Sequence, residues 1–286
     1  MALGHPGSMC LVLLGWKAHP DYRLIVAANR DEFYTRPTES LRRWDEVPGL
    51  LAGRDLGAAG ATPGTWLGVA ENSHRFATVT NVRGPDEARP DARSRGALLL
   101  DFLRGDAGPE KFVRGVAATP DDYNGFNLVV SDLETLWWHS NRSAQAPREL
   151  APGFHGVSNG CLVGTLEPDG REIRTGTATP AWPKVRDGVR ALADVVAADP
   201  ANTAGYLDVL ADRTRAPRAE LPHTGLGRYG ERAVSSRFVT HPMHGTRCST
   251  VLLVREDGRF EMTERTFARF GRRKGTVSQT GRLELP

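Results

Sequence analysis

The sequence predicts an α+β fold. Apolar runs of strand length fall at both ends and in the middle of the chain, with stretches of helical periodicity between them. The resulting order is strands, helices, strands, helices, strands. No linker, internal repeat or low-complexity tract divides the 286 residues, so 9–286 are expected to form a single domain behind a tag or leader at 1–8. That leader, "MALGHPGS", has neither a basic n-region nor an apolar h-region and is not a signal peptide.

The first two strands are "LVLLGW" (11–16) and "RLIVAA" (23–28), flanking the turn cluster "KAHPDY". Antiparallel pairing is expected to set Leu11 opposite Ala28 and Trp16 opposite Arg23, which places Cys10 opposite Asn29. A second hairpin is expected from Trp66 to Asn81, with "ENSH" at its tip. Helices are expected after Ser94 in "SRGALLLDFLRG" and in "PEKFVRGVAA", where Pro109 suits the first turn. "FNLVVSD" and "TLWWHS" resume strands, the second placing one of Trp137 and Trp138 on each face. After a loop holding "HGVSNG", a long helix beginning at Pro183 is expected from the spacing of Val185, Val189, Leu192, Val195 and Val196, followed by a shorter one in "TAGYLDVLAD". The tail reads as three strands, "SRFVTH", "STVLLV" and "RFEMTERTF".

A formal charge of +3, from 37 basic and 34 acidic residues with no long run of one sign, gives no nucleic-acid patch. No apolar window is long enough to cross a membrane as a helix. The odd count of three cysteines, without CxxC spacing, suits a reducing compartment, and a cytoplasmic location is expected.

Cys10 follows Met9 directly. If Met9 is removed, Cys10 carries a thiol and a free α-amine on one residue. An unperturbed thiol is only a few per cent ionised at neutral pH, and an α-amine with a pKa of about 7.7–8.0 is a base close enough to take its proton. The first hairpin delivers "NRDE" (29–32) to the same end of the sheet. By strand alternation Asn29 and Asp31 share one face and Arg30 and Glu32 the other, so only one pair can share the face of Cys10. "LAGRDLGAAGATPG" lacks the GKS/T of a phosphate loop. In "HPMHGTRC", Pro242 and Gly245 keep His241, His244 and Cys248 off a common helix face, so no metal is expected to be needed.

"MCLVLLGW", "LIVAANRDEFYTRPTE", "LLAGRDLGAAGATPGTWLGV", "RFATVTNVRG", "YNGFNLVVSD", "GVSNG", "WPKV" and "HGTRCSTVLLV" resemble, in order, the blocks of the NRDE family, also called the transport and Golgi organisation protein two family. The resemblance runs from Met9 to about Phe267. The family is similar to the N-terminal nucleophile hydrolases, which implies a four-layer αββα sandwich with an N-terminal cysteine on a central strand. Carried over residue by residue, the resemblance implies Cys10 as nucleophile, Arg30 and Asp31 beside it, Asn81 and Asn159 as oxyanion donors, and Arg247 shaping the pocket. Asn29, Glu32 and Trp66 join them as candidate substrate contacts. Related amidases separate their Arg and Asp by two residues; Arg30 and Asp31 are adjacent here and should face opposite ways.

The implied activity is hydrolysis or acyl transfer at a non-peptide C–N amide bond, or at a thioester. The expected partner is a small amide or acyl substrate, with no required cofactor. The alternative is a non-catalytic carrier or chaperone binding haem or an acyl-CoA-like ligand, with His241, His244 or Cys10 as conceivable haem ligands. The sequence leaves the oligomeric state open.

Overall fold

A computed structural model describes residues 9–57, 63–84, 89–160, 163–166 and 181–284. The leader at 1–8, Cys161 and most of the stretch between "GVSNG" and "WPKV" lie outside the described residues.

Among the described residues, two seven-stranded antiparallel sheets carry the fold. The first contains β1 (Met9–His19), β2 (Tyr22–Phe33), β10 (Gly153–Val157), β11 (Val163–Leu166), β12 (His244–Arg255), β13 (Arg259–Ala268) and β14 (Arg272–Arg282), in the order β11-β10-β1-β2-β12-β13-β14. The second runs β3-β4-β5-β6-β7-β8-β9. Its strands are β3 (Thr38–Arg43), β4 (Leu50–Asp55), β5 (Leu67–Ala70), β6 (Arg75–Asn81), β7 (Phe126–Ser131), β8 (Leu136–Ser140) and β9 (Arg148–Glu149). Five α-helices are described: α1 (Arg95–Arg104), α2 (Pro109–Ala117), α3 (Pro183–Ala198), α4 (Thr203–Leu210) and α5 (Gly227–Ala233). Among the described residues no helix is long and apolar enough to cross a membrane.

Alternation along the strands builds three apolar clusters. Val12, Leu14, Trp16, Val26 and Ala28 of the first sheet meet Leu51, Val69, Phe76, Val129 and Trp138 of the second. Ala52, Ala77, Leu128, Val130 and Trp137, on the opposite face of the second sheet, meet Leu99, Phe102 and Leu103 of α1 and Val113 of α2. Leu11, Leu13, Ile25 and Ala27 meet Val185, Val189 and Leu192 of α3 and Tyr206 and Leu210 of α4. Trp137 and Trp138 therefore divide between two cores, as alternation requires.

The helix starts follow their local signals. The Ser94 side chain accepts from Ala97 N–H at 3.4 Å, and Pro109 and Pro183 occupy the first turns of α2 and α3. Helix α3 lies close against β10, where Gly156 leaves no room for a side chain. A Cβ there would sit 2.6 Å from Val189 Cγ2 and 2.7 Å from Val185 Cγ1. Gly156→Ala is expected to cost about 1–3 kcal/mol by overpacking. Urea unfolding checks this, and an unchanged midpoint would mean that α3 can back away.

Three expectations are corrected. "HGVSNG" is not all loop: His155, Gly156 and Val157 belong to β10 and pair with β1. "SRFVTH" is not a strand: its amides are taken by loop contacts, Phe238 N–H to Asp212 O at 2.8 Å and Val239 N–H to Thr246 Oγ1 at 2.9 Å, and β12 begins at His244. The first hairpin is also one residue out of the expected register. Leu11 pairs with Asn29, Trp16 with Leu24 and Cys10 with Arg30. The ladder shifts between Trp16 and His19, where Lys17 adopts a left-handed φ of 44°.

Candidate functional site

Cys10 lies near the start of β1, with β2 between it and β12. It is buried, its side chain belongs to the inter-sheet core, and its cross-strand partner is Arg30. On the other side of β2, Cys248 also pairs with Arg30. The row Cys10, Arg30, Cys248 therefore faces the second sheet, which settles the question alternation left open: Arg30 and Glu32 share the face of Cys10. The two cysteines form no disulfide. With β2 between them they stand two strand spacings apart, about 10 Å, beyond the reach of an S–S bond.

The Arg30 guanidinium meets Asp55 Oδ2 at 2.8 Å and Glu32 Oε2 at 3.6 Å, and Arg36 Nε meets the same two carboxylates at 2.9 and 3.6 Å. Burial alone would raise the Asp55 carboxyl, but Arg30 and Arg36 hold it below its ordinary value. Burial likewise opposes the charge on Arg30, yet Asp55 and Glu32 keep its pKa raised. Cys248 differs: burial, then the neighbouring Glu264, push its thiol well up, so it remains protonated against that carboxyl.

Asn29 and Asp31 point the other way, toward the helices. Asn29 is fully engaged: its amide donates to Leu210 O at 2.9 Å and Arg237 O at 2.8 Å, and its oxygen accepts from Ser249 Oγ at 2.6 Å. Asp31 pairs across the ladder with Met9 and accepts from Thr246 Oγ1 at 2.6 Å. Burial pushes its carboxyl up to about 7, against the pull of Lys184, the Thr246 hydroxyl and Arg83. Lys184, buried in the first turn of α3, is lowered to about 8 by burial, with Asp31 the strongest opposing influence. Arg83 closes this cluster. It meets Glu231 Oε2 at 3.0 Å, its guanidinium stands 5.6 Å from the Trp182 ring centre, and Glu231 also accepts from Thr224 N–H at 2.7 Å and from its hydroxyl at 2.6 Å. Arg83, Trp182, Lys184 and Glu231 line a cavity of about 10 Å³, room for a single water.

The two asparagines meet beside Cys10. Asn159 Nδ2 donates to Asn81 O at 2.8 Å, and the neighbouring Ser158 Oγ donates to Cys10 O at 2.7 Å. The second sheet grips this loop: Thr80 Oγ1 donates to Ser158 O at 2.7 Å, and Asn127 Nδ2 donates to Ser158 O at 3.0 Å and Gly160 O at 2.8 Å. Beyond its place before Asn159 within "GVSNG", Ser158 carries no mark of this role in the sequence. Thr246, Lys184 and Glu231 carried no signal of their own beyond the "WPK" context of the lysine.

Arg247 is the extra residue in β12, where the pairing shifts between Thr246 and Cys248. Its guanidinium donates to Phe33 O at 2.7 Å, Arg36 O at 3.0 Å and Thr38 Oγ1 at 3.0 Å, bracing the chain that leaves β2. Trp66 is buried in the inter-sheet core, its carbonyl accepting from Thr78 Oγ1 at 3.0 Å. Of the conceivable haem ligands, His241 is exposed, while His244 is buried edge-on to Phe33 with ring centres 5.5 Å apart. Among the described residues no three His, Cys, Asp or Glu side chains gather as a metal site would require.

The family model described as Transport and Golgi organisation 2 matches residues 9–269. The chain is 34% identical over 279 residues to the "Transport and Golgi organization protein 2 homolog" of Bos taurus and 32% identical over 279 residues to that of Homo sapiens. Each alignment covers 90% of this chain and 93% of the relative. It is 33% identical over 100 residues to the Drosophila melanogaster "Transport and Golgi organization protein 2", covering 33% of this chain and 35% of that one.

Proposed function

The chain belongs to the transport and Golgi organisation 2 family, and from that premise we propose that it is a cysteine-dependent hydrolase or acyltransferase of the N-terminal nucleophile type. The observation that carries the reading is the position of Cys10: near the start of β1, opposite the Arg30 guanidinium, with its carbonyl fixed by Ser158. The order of packing supports it as well. Helices α1 and α2, the second sheet, the first sheet, then α3 and α4 is the layering of an αββα sandwich.

In the proposed reaction, loss of Met9 frees the α-amine of Cys10, which takes the thiol proton. Asp31, the cross-strand partner of Met9, anchors the amine, and Arg30 stands beside the thiolate. The sulfur attacks the carbonyl carbon of an amide, and the oxyanion is stabilised by amide donors from Asn81 and Asn159. The C–N bond then breaks as the leaving nitrogen takes the proton from the α-ammonium. The thioester left on Cys10 passes its acyl group to water or to an acceptor amine or thiol.

Protein expressed from Met9, shown by intact mass to have lost that methionine, is expected to be alkylated by iodoacetamide at Cys10 at least about tenfold faster than the leader-bearing chain, whose Cys10 nitrogen is acylated. Equal rates would overturn the reading.

A further inference from the structure

Lys184 is a buried amine that the proposed reaction does not use. It sits in the first turn of α3, which packs against β1 and β10, and its Nζ makes no hydrogen bond among the described residues. Holding an ammonium out of water without hydrogen bonds is costly, so its charge must be matched nearby. The charged and titratable groups acting on it are Asp31 on β2, Cys10 on β1, Arg83 after β6 and Glu231 on α5, with His244 on β12 acted on by it in turn. Glu231 is committed to Arg83 at 3.0 Å and to Thr224. That leaves Asp31 as the counter-charge, and each of the pair is the strongest charged influence on the other.

The cavity beside Lys184, about 10 Å³, has room for a single water. Asp31 faces Met9 across the ladder, and loss of Met9 puts the new chain end next to this carboxylate. A carboxylate alone would hold that end as an ammonium, which cannot accept the thiol proton. We propose that Lys184 is a positioning residue for the nucleophile: its ammonium neutralises Asp31 from the helix side, so that the α-amine gained by Cys10 stays in its neutral, proton-accepting form. The proposal rests on the nucleophile reading above.

The test uses protein that starts at Cys10 after loss of Met9, in wild-type, Lys184→Met and Lys184→Arg forms. The rate of iodoacetamide alkylation at Cys10 is measured against pH, and the α-nitrogen of [15N]cysteine-labelled protein is titrated by NMR. In wild type the amine should titrate below the ordinary range of about 7.7–8.0. In Lys184→Met both midpoints should rise by about one pH unit or more, and Lys184→Arg should restore most of the shift.

Fast, Cys10-specific labelling with the same midpoint in wild type and Lys184→Met would overturn the role of Lys184 and leave the nucleophile reading standing. A wild-type amine titrating at or above about 8 would do the same even if Lys184→Met does not fold. Wild-type Cys10 labelling no faster than the leader-bearing chain would remove both.

Discussion

Arg30→Met is expected to destabilise the protein by about 3–5 kcal/mol, the range for removing one partner of a buried charge cluster. Arg30 is 4% exposed and Glu32 5%, and with Asp55 and Arg36 they form a cluster of two cations and two anions between the sheets. Methionine fills similar space but leaves two carboxylates to Arg36, which is about a third exposed and a weaker counter-charge than a buried one. Arg30→Lys keeps the charge but loses the planar guanidinium whose Nη2 meets both Asp55 and Glu32, and should fall between wild type and Arg30→Met. Urea unfolding followed by circular dichroism measures the difference. A loss under about 1 kcal/mol would mean that water reaches the cluster once Arg30 is gone, as at a surface ion pair.

The sheet core and the helices were legible because their signals are local. Apolar alternation marks β1, β2, β7 and β8, and Pro109, Pro183 and Ser94 mark helix starts that packing does not override. Strand β14 was missed because "RRKGTVSQTGR" alternates between exposed and half-buried residues with almost no apolar face, and its identity comes from pairing with β13. The register of the first hairpin was missed by one residue because Lys17 carries no mark in the sequence of its left-handed backbone.

The candidate site divides in the same way. The adjacency of Arg30 and Asp31 did foretell that they face opposite layers, one toward Asp55 in the second sheet and the other toward α3. Their partners, Asp55, Thr246 and Lys184, lie 25 to 215 positions away in the chain, and only the fold makes them neighbours. On both sides of β2 the solution is electrically the same. Arg30 and Arg36 balance Glu32 and Asp55 between the sheets, and Arg83 and Lys184 balance Asp31 and Glu231 beneath the helices. Burial of charge at both faces of one strand demands this neutrality, and it makes "NRDE" a structural element whatever chemistry Cys10 performs.

Acid should unfold the protein more readily than its carboxylates alone would dictate. His139, His155 and His244 are each 5% exposed or less, and burial lowers each from 6.5 to about 4. At His155 burial, aided by Arg148, prevails over a hydrogen bond from Nε2–H to Ala151 O at 2.8 Å, which by itself favours the charged ring; Nδ1 lies 3.0 Å from Thr165 Oγ1. His139 has no hydrogen-bond partner for either nitrogen among the described residues. Between pH 6.5 and 4 the unfolded chain therefore binds three protons that the fold refuses, and stability falls as pH falls. Two carboxyls act in the opposite sense. Asp31, raised to about 7, and Glu264, also raised by burial, are protonated in the fold where the unfolded chain is ionised, so each adds stability as pH falls.

The balance is a net uptake of one to two protons on unfolding, a slope of about 1.4–2.7 kcal/mol per pH unit across that window. Against a total of about 5–15 kcal/mol for an ordinary fold, this is a large share. Urea midpoints measured from pH 7 down to pH 4.5 should drop steadily, and His139→Leu should flatten the slope by about 1.4 kcal/mol per unit. A midpoint constant over this range would mean that the fold accepts protons on these imidazoles, and that the buried histidines open to water before they charge.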